Sequence, residues 1–257
     1  MQNTKEVPEA LLETWPSARR TTWSFPASIL GENTLTVRPS ESLAVLGKSG
    51  SGKSTLLGVL GGLVDTQGWA RWTGADTYQT IALMAQSAGL LPWFSVADNI
   101  TIGSRLRGEI LDTIRCDELL RRVGLDDVRD ALPETLSGGM QQRAALARSL
   151  YEDADLLLLD EPYSSLDAIT RRQMQELTRQ ETSQRTLVLV THDPAEAWLM
   201  GDRIIILEGS PAQFEEFDKS ERLETLWQRV LQSPASSTNA VTASDSDTGL
   251  ILDDRES

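Results

Sequence analysis

The 257-residue sequence predicts one large α/β domain built on a mainly parallel sheet, and three stretches carry that prediction. Leu43–Leu46 is a short apolar run that leads through a glycine-rich turn into an apolar helix start. Leu156–Leu159 is an unbroken run of leucine that ends on two carboxylates, Asp160 and Glu161. Leu187–Val190 repeats the arrangement and delivers Thr191-His192-Asp193. Apolar runs of strand length without alternation belong to strands covered on both faces, and in open parallel sheets ligand chemistry gathers at the carboxyl ends of such strands.

The first of these stretches continues as Gly47-Lys48-Ser49-Gly50-Ser51-Gly52-Lys53-Ser54, which fits the phosphate-loop pattern G-x-x-x-x-G-K-[ST]. Glycine at 47, 50 and 52 lets backbone N–H groups approach phosphate oxygens where a Cβ would stand in the way. Lys53 then reaches the β- and γ-phosphates as a point charge, the Ser54 hydroxyl is a Mg²⁺ ligand, and Thr55-Leu56-Leu57 enter a helix whose N-terminus faces the anion. A flexible Ser/Gly linker would not be bracketed by an apolar strand and an apolar helix start. At the end of the leucine strand, Asp160 is placed to hold Mg²⁺ through water and Glu161 to polarise an attacking water. His192, the sole histidine, ends a strand in register with the others, which favours a γ-phosphate contact over a structural role.

Between these strands the sequence supplies the remaining elements in order. Residues 1–20 read as an edge strand or a loosely docked arm. Thr21–Phe25 offers Trp23 and Phe25 either to an adenine ring or to the core. Leu35-Thr36-Val37 alternates as a strand, Trp69–Trp72 reads as an edge strand, and Ile81–Met84 is a buried strand that ends at Gln86. Leu90-Leu91-Pro92-Trp93-Phe94 is an apolar cluster in a loop, either the core of a subdomain or a docking surface for a partner helix. Residues 95–135 are helical in pattern: Asp98–Ile102, Glu109–Ile114 and Cys116–Val123 are separated by Gly103, Gly108 and Gly124. Ser137-Gly138-Gly139 opens a helix over Met140–Leu150 and reads as a second anion site, with an ordinary Ser137 cap as the plainer alternative. A polar helix around Arg171–Gln184, a last strand at Ile204–Leu207 and an amphipathic helix over Glu221–Gln232 complete the body. That last helix is expected to pack Leu223, Leu226, Trp227, Val230 and Leu231 against it.

Composition sets the outer bounds. A net charge of −14 opposes a broad nucleic-acid or anionic-lipid surface. Residues 233–257 hold five acids against Arg255, and their Ser/Thr/Asp composition predicts a disordered tail. The single cysteine, Cys116, rules out an internal disulfide framework and fits a reducing compartment. The N-terminal residues lack the basic-then-apolar pattern of a secretory signal, and no apolar run has the length of a membrane span.

In their order and spacing, the phosphate loop, Gln86, the helical insert, Leu136-Ser137-Gly138-Gly139, Asp160-Glu161, Ser165-Leu166-Asp167 and His192 resemble the ATPase subunit of ABC transporters over roughly residues 21–210. The resemblance implies a P-loop NTPase cassette: a mainly parallel core with an antiparallel edge subdomain and an inserted helical subdomain at about 88–135, within a domain spanning 21–232. It makes Gly47–Thr55, including Lys48, Ser49 and Ser51, the Walker A loop, and Gln86 the Q-loop glutamine and a metal contact. Ser137, Gly138 and Gly139 become the signature, Asp160 the Walker B aspartate, Glu161 the catalytic glutamate, Ser165–Asp167 the D-loop and His192 the switch histidine. Trp23 becomes the preferred adenine-stacking residue. Mg²⁺ with ATP, a homodimer enclosing two ATP molecules, a separate membrane permease, an indirect solute-binding protein and a peripheral place on the cytoplasmic face of the inner membrane follow by the same resemblance, with no nucleic acid. Gln86–Trp93, Asp98-Asn99-Ile100 and Met140–Arg143 are similar to the nitrate, sulfonate and taurine importer group, although importers of bicarbonate, cyanate and pyrimidine precursors share the loop. Ser40-Glu41 stands where that family usually has Gly-Glu. A soluble DNA-repair ATPase would need a long coiled coil between the phosphate loop and the signature. A translation factor would need tandem cassettes, and a phosphate-loop kinase would not need the Ser-Gly-Gly motif.

Overall fold

Four leucines in sequence need apolar cover above and below, and the computed structural model, which describes residues 21–25, 33–64, 71–73, 80–209 and 212–232, shows how they get it. Strand β6 (Leu156–Asp160) is buried throughout. Leu157 and Leu159 face one cluster with Met84, Leu146 and Leu150, while Leu156 and Leu158 face another with Leu56 and Leu60. The neighbouring β7 (Thr186–Thr191) divides its residues the same way, Leu187 and Leu189 to the first cluster and Val188 and Val190 to the second. Successive side chains point to opposite faces, so a strand sandwiched between helices has no polar face to show.

The main sheet has the order β5-β6-β7-β3-β8-β9. Strands β5 (Ile81–Met84), β6, β7, β3 (Ser42–Leu46) and β8 (Arg203–Gly209) are parallel, and β9 (Ala212–Phe217) closes the edge antiparallel to β8. Register brings the functional ends level: Met84 pairs Leu159, Asp160 pairs Val190, and Leu46 pairs Thr191. The segments that follow β3, β5, β6 and β7 therefore leave the sheet along one edge. Helix α1 (Lys53–Leu60) covers one face together with Leu35 and Val37 of β2 (Asn33–Val37). With β1 (Thr21–Phe25) and β4 (Arg71–Thr73), β2 forms a separate antiparallel sheet in the order β2-β1-β4. Trp69 and Ala70, expected in that edge strand, lie outside the described residues, as do the arm 1–20 and the tail 233–257.

Several expectations shift. Strand β9 is not among the elements expected: its Gln213, Glu215 and Glu216 are polar, as edge strands tolerate, and among its described side chains Phe217 alone is buried. In the insert, α2 (Val96–Ile100) and α3 (Ile102–Arg107) replace a single Asp98–Ile102 helix, and Gly103 sits inside α3 rather than ending a helix. Glu109–Leu111 is irregular, and α4 (Thr113–Arg122) begins only where the Asp112 carboxylate accepts from Arg115 N at 2.8 Å. Helix α5 (Gly138–Tyr151) starts at the Ser137 cap, and α6 (Ala168–Glu181) starts at the Asp167 cap, earlier than its periodicity suggests. Glu181 at the end of α6 takes ion pairs from both Arg115 and Arg122 of α4; burial opposes its charge, but the two guanidiniums hold it below the usual carboxylate range. Helix α7 (Pro194–Met200) packs between β3 and α8 (Leu223–Gln232). Of the face expected on α8, Leu226 is buried and Leu223 and Val230 pack beside it, whereas Leu231 is 72% exposed and Trp227 is also outward. At 100° per residue those two lie on the rim of the stripe that 223, 226 and 230 centre.

The turn into β3 resolves the Ser40-Glu41 question. Ser40 has φ 55°, in the left-handed region that glycine enters freely. Its N–H donates to Thr186 Oγ1 at 3.0 Å and its hydroxyl to Gln184 O at 3.3 Å, anchoring the strained residue to the start of β7.

Candidate functional site at the carboxyl edge of the sheet

Between β3 and α1 the phosphate loop is shaped by what a side chain would strike. A Cβ on Gly47 would stand 2.7 Å from both Leu207 O and Ser51 Oγ, and Gly52 enters α1 at φ 93°. Lys53 is buried, and its Nζ donates to Gly47 O at 2.9 Å and Lys48 O at 2.8 Å, so its charge is folded into the loop's own carbonyls. Burial lowers its pKa, which the nearby Glu161 and Asp160 partly restore. Ser51 Oγ is buried with no hydrogen-bond partner, while Ser49, Gly50, Ser54 and Thr55 face outward. A glycine-rich loop with exposed residues, a buried lysine and an unpaired hydroxyl is suited to receive phosphate oxygens.

Across from the loop, Asp160 is buried and accepts a hydrogen bond from the Ser54 hydroxyl. Burial pushes its pKa up, the Ser54 bond and Lys53 act the other way, and Glu161 adds to the rise. A cation would reverse that penalty. Glu161 follows at φ 46°, an unusual conformation for a residue with a side chain. Its backbone is fixed on three sides: its N–H donates to Val190 O at 2.9 Å, and its carbonyl accepts from Gln142 Nε2 at 3.2 Å and Ser164 Oγ at 3.1 Å. The carboxylate lies between two of the expected partners, with Oε1 at 3.1 Å from His192 Nδ1 and Oε2 accepting from Gln86 Nε2 at 3.5 Å. Lys53, Ser54, Gln86, Asp160, Glu161 and His192, scattered over 140 positions of sequence, are thus joined by contacts at one edge of the sheet.

Other expected residues lie apart from this cluster. Ser137 caps α5, its Oγ accepting from Met140 N at 3.3 Å, and Gly139 lies against the D-loop backbone, where a Cβ would be 3.3 Å from Ser165 O. None of the contacts that tie the cluster together involves Ser137, Gly138 or Gly139. Asp167 caps α6 by accepting from Ile169 N and Thr170 N at 3.0 and 3.1 Å. The backbone of Trp23 pairs with Leu35 and Trp72, but its side chain lies outside the described residues. Cys116 is buried and its thiol is pushed up to about 11 by burial, in keeping with an ordinary packed cysteine.

Three residues to which the sequence assigns no structural role, Asn99 and Gln142 within motifs quoted above and Arg148 outside them, hold the site together. Gln142, buried on α5, reaches the Glu161 carbonyl. Arg148, six residues on, donates to Ala88 O at 2.8 Å and Gly89 O at 2.9 Å and so fixes the chain just after Gln86. Asn99, fully buried, organises the Leu91–Phe94 loop: its Oδ1 accepts from Leu91 N at 2.7 Å, and its Nδ2 donates to Leu91 O, Phe94 O and Ser95 O at 3.0–3.1 Å. The loop is shared between the two roles foreseen for it: Leu90 packs on the core, and Trp93 stands 69% exposed. Only buried polar residues in an otherwise apolar helix pattern signal such positions in sequence.

A family model described as ABC transporter matches residues 30–164, more than half of the chain. The chain belongs to the ABC transporter family. Curated relatives of the cassette include the aliphatic sulfonates import ATP-binding protein SsuB 1 of Paracoccus denitrificans, 46% identical over 182 residues that cover 70% of this chain and 73% of that one. Another is the aliphatic sulfonates import ATP-binding protein SsuB of Delftia acidovorans, 44% identical over 74% of this chain and 78% of that one. The taurine import ATP-binding protein TauB of a Jannaschia species is 38% identical over 73% of each. Among solved structures, the dimeric post-hydrolysis state of the ATP-binding cassette MJ0796 bound to ADP and Pi covers 80% of this chain and all of that one, at 25% identity and a TM-score of 0.64. A metal-chelate type ABC transporter in an inward-facing conformation, 23% identical over 79% of this chain and 84% of that one with a TM-score of 0.63, shares the fold. The cassette is therefore an ABC-type ATPase with a mixed, mostly parallel α/β architecture.

Proposed function

We propose that this cassette is the ATP-hydrolysing subunit of an importer for aliphatic sulfonates, taurine or a similar small anion, working as a homodimer against a separate membrane permease. The observation that carries the ATPase reading is the Glu161 carboxylate, seated between Gln86 and His192 and beside Lys53 at the edge where four parallel strands end. The solute class rests on the relatives' names alone.

In this reading, Gly47–Thr55 wraps the phosphates of ATP, and Lys53 exchanges the carbonyls of Gly47 and Lys48 for β- and γ-phosphate oxygens. Glu161 accepts a proton from the attacking water, and His192, on the other side of that carboxylate, contacts the γ-phosphate. Ser54, Asp160 and Gln86 offer oxygen donors of the kind Mg²⁺ prefers. Among the described residues no group of three His, Cys, Asp or Glu gathers to cage an ion by itself, so these donors would share Mg²⁺ with the substrate's phosphates. When bound it neutralises developing phosphate charge. Ser137, Gly138 and Gly139 stand apart from their own subunit's cluster, as they would if a second copy supplied them to complete the site. Trp23 stacks on the adenine. The cassette spans 21–232, with its helical subdomain at about 88–135, an arm before it and an acidic tail after it. Trp93, presented by Asn99, meets the permease on the cytoplasmic face of the inner membrane; no helix among the described residues is long and apolar enough to cross it. A solute-binding protein delivers cargo from the far side, and the acidic net charge leaves nucleic acid without a role.

The test is uptake of labelled taurine, an alkanesulfonate and nitrate in cells deleted for this chain and complemented with wild type or Glu161→Gln. Restored uptake of one of these by wild type only, with a polytopic permease co-purifying in ATP without Mg²⁺, supports the reading. Unchanged uptake of all three after deletion, or recovery of only soluble partners, overturns it.

A further inference from the structure

Beside the Glu161–His192 pair lies a small cavity of about 50 Å³, lined by residues following β6 and β7 and by residues of helices α6 and α7, Arg171 and Glu196 among them. That is room for water beside polar partners. Glu196 of α7 is only 6% exposed, and its Oε1 has no hydrogen-bond partner. Arg171 of α6 is the one arginine in that lining, and it is already engaged: its Nη2 donates to Leu166 O at 3.1 Å, its Nη1 lies 3.8 Å from Asp193 Oδ2, and its Nε is buried without a partner.

The groups facing Glu196 come from every element around it. Asp193 lies at the head of its own helix, Thr191 of β7 hydrogen-bonds it, and Glu161 at the end of β6 acts on it across the cavity. His192 shares the cavity, and the fully buried phenol of Tyr163, held in its neutral form by burial, interacts with it from the turn after β6. Asp193 and Glu161 already place two carboxylates on a cavity lined by one guanidinium. An ionised Glu196 would be a third, desolvated and with an oxygen lacking a donor.

We infer that Glu196 is a positioning residue: as the neutral acid it donates into the cavity toward Glu161, and its ionisation would drive the Glu161 carboxylate away from His192. The proton stays on Glu196 through the cycle and leaves only by titration, so no bond to phosphate passes through it. Burial, reinforced by Asp193, pushes Glu196 up to about 8, which puts the change within reach of ordinary buffers.

The inference rests on Glu161 being the base, and the test separates the two. Infrared difference spectra of the full-length wild type across this pH range should show a protonated carboxyl band disappearing, and the band should be missing from Glu196→Gln. Turnover of ATP by wild type should fall about tenfold between about pH 7 and pH 9, with KM for ATP unmoved, whereas Glu196→Gln should change less than about twofold over the same interval. Asp193→Asn, which keeps the Oδ1 acceptor that caps α7, removes a facing charge and should start the alkaline fall at lower pH. An infrared band indifferent to Glu196→Gln overturns the inference, as does an alkaline fall of wild-type size in that variant or an unmoved midpoint in Asp193→Asn. Were Glu161 not the base, Glu161→Gln would retain turnover while the Glu196 band still titrated.

Discussion

Replacing Asn99 by alanine tests whether one buried amide shapes the surface on which Trp93 is displayed. The side chain makes four hydrogen bonds to the backbone of the loop that follows Gln86, one accepted from Leu91 N and three donated to Leu91 O, Phe94 O and Ser95 O. Two of these carbonyls keep other donors, since Leu91 O also accepts from Phe94 N at 3.1 Å and Ser95 O from Asn99 N at 2.9 Å. The loss therefore falls on Leu91 N and Phe94 O. Two stripped groups at ~1–1.5 kcal/mol each, with little gained from an alanine in a polar niche, give a destabilisation of ~2–3 kcal/mol. Urea unfolding measures it, and amide exchange at Leu91 locates it. Trp93 should lose its fixed presentation, so binding of Asn99→Ala to permease-containing membranes should weaken while ATP binding, whose proposed residues Asn99 does not hydrogen-bond, persists. A change below ~0.5 kcal/mol together with unaltered exchange at Leu91 would refute the reasoning, because the amide would then be replaceable by water.

Other expectations follow from the same geometry. Glu161→Gln should bind ATP and lose ~10²–10⁴-fold in turnover; a rate within about twofold of wild type in a coupled phosphate assay would remove Glu161 from the chemistry. Gly47→Ala forces a Cβ to 2.7 Å from Leu207 O and Ser51 Oγ, and should cost ~1–3 kcal/mol and abolish nucleotide binding, so wild-type melting and affinity would contradict it. Arg148→Ala frees the Ala88 and Gly89 carbonyls and should lower ATP-stimulated turnover more than ATP affinity; equal losses in both would count against it. Glu196 gives stability a sign in pH: its folded pKa of about 8 lies above the ordinary carboxyl value of 4.5, so its contribution is complete below about 4.5 and is lost as pH rises toward about 8, by up to ~1.4 kcal/mol per pH unit. Subtracting the melting profile of Glu196→Gln from that of wild type isolates this slope, and a flat difference would deny it.

What could be read from sequence divides along physical lines. β3, β6 and β7 were legible because strands covered on both faces write their burial directly as apolar runs, and β5 by its apolar run although it lies at the sheet edge with Ile81 exposed; the contacts among Lys53, Asp160, Glu161 and His192 were legible because these residues follow the ends of such runs. The edge strand β9 was not, since its outward glutamates and partial cover leave no strong alternation. Gly103 misled in the other direction: glycine costs an α-helix about 1 kcal/mol, which the packing of a short helix absorbs, so it is weak punctuation. The roles of Gln142, Arg148 and Glu196 left no local trace because each acts on a segment distant in sequence, and that of Asn99, four to eight positions from its partners, because nothing in the short loop marks which amide is buried. A buried polar residue is visible in sequence only as a defect in a hydrophobic stripe.

Gln142 and Arg148 also say how the parts communicate. Both belong to α5, the helix that begins at Ser137-Gly138-Gly139. One turn and a half apart, they grip the Glu161 carbonyl and the chain beyond Gln86, the two segments whose side chains meet at the Glu161 carboxylate. A second copy engaging ATP through the signature would pull on the N-terminus of this helix. A permease pressing on the Trp93 loop would push on the segment that Arg148 holds. Because α5 is buried along most of its length and cannot bend without opening the core, both displacements would reach the Gln86–Glu161 contact as motion of one rigid body. At 3.5 Å that contact stands at the outer limit of a hydrogen bond, so small shifts of α5 would make or break it.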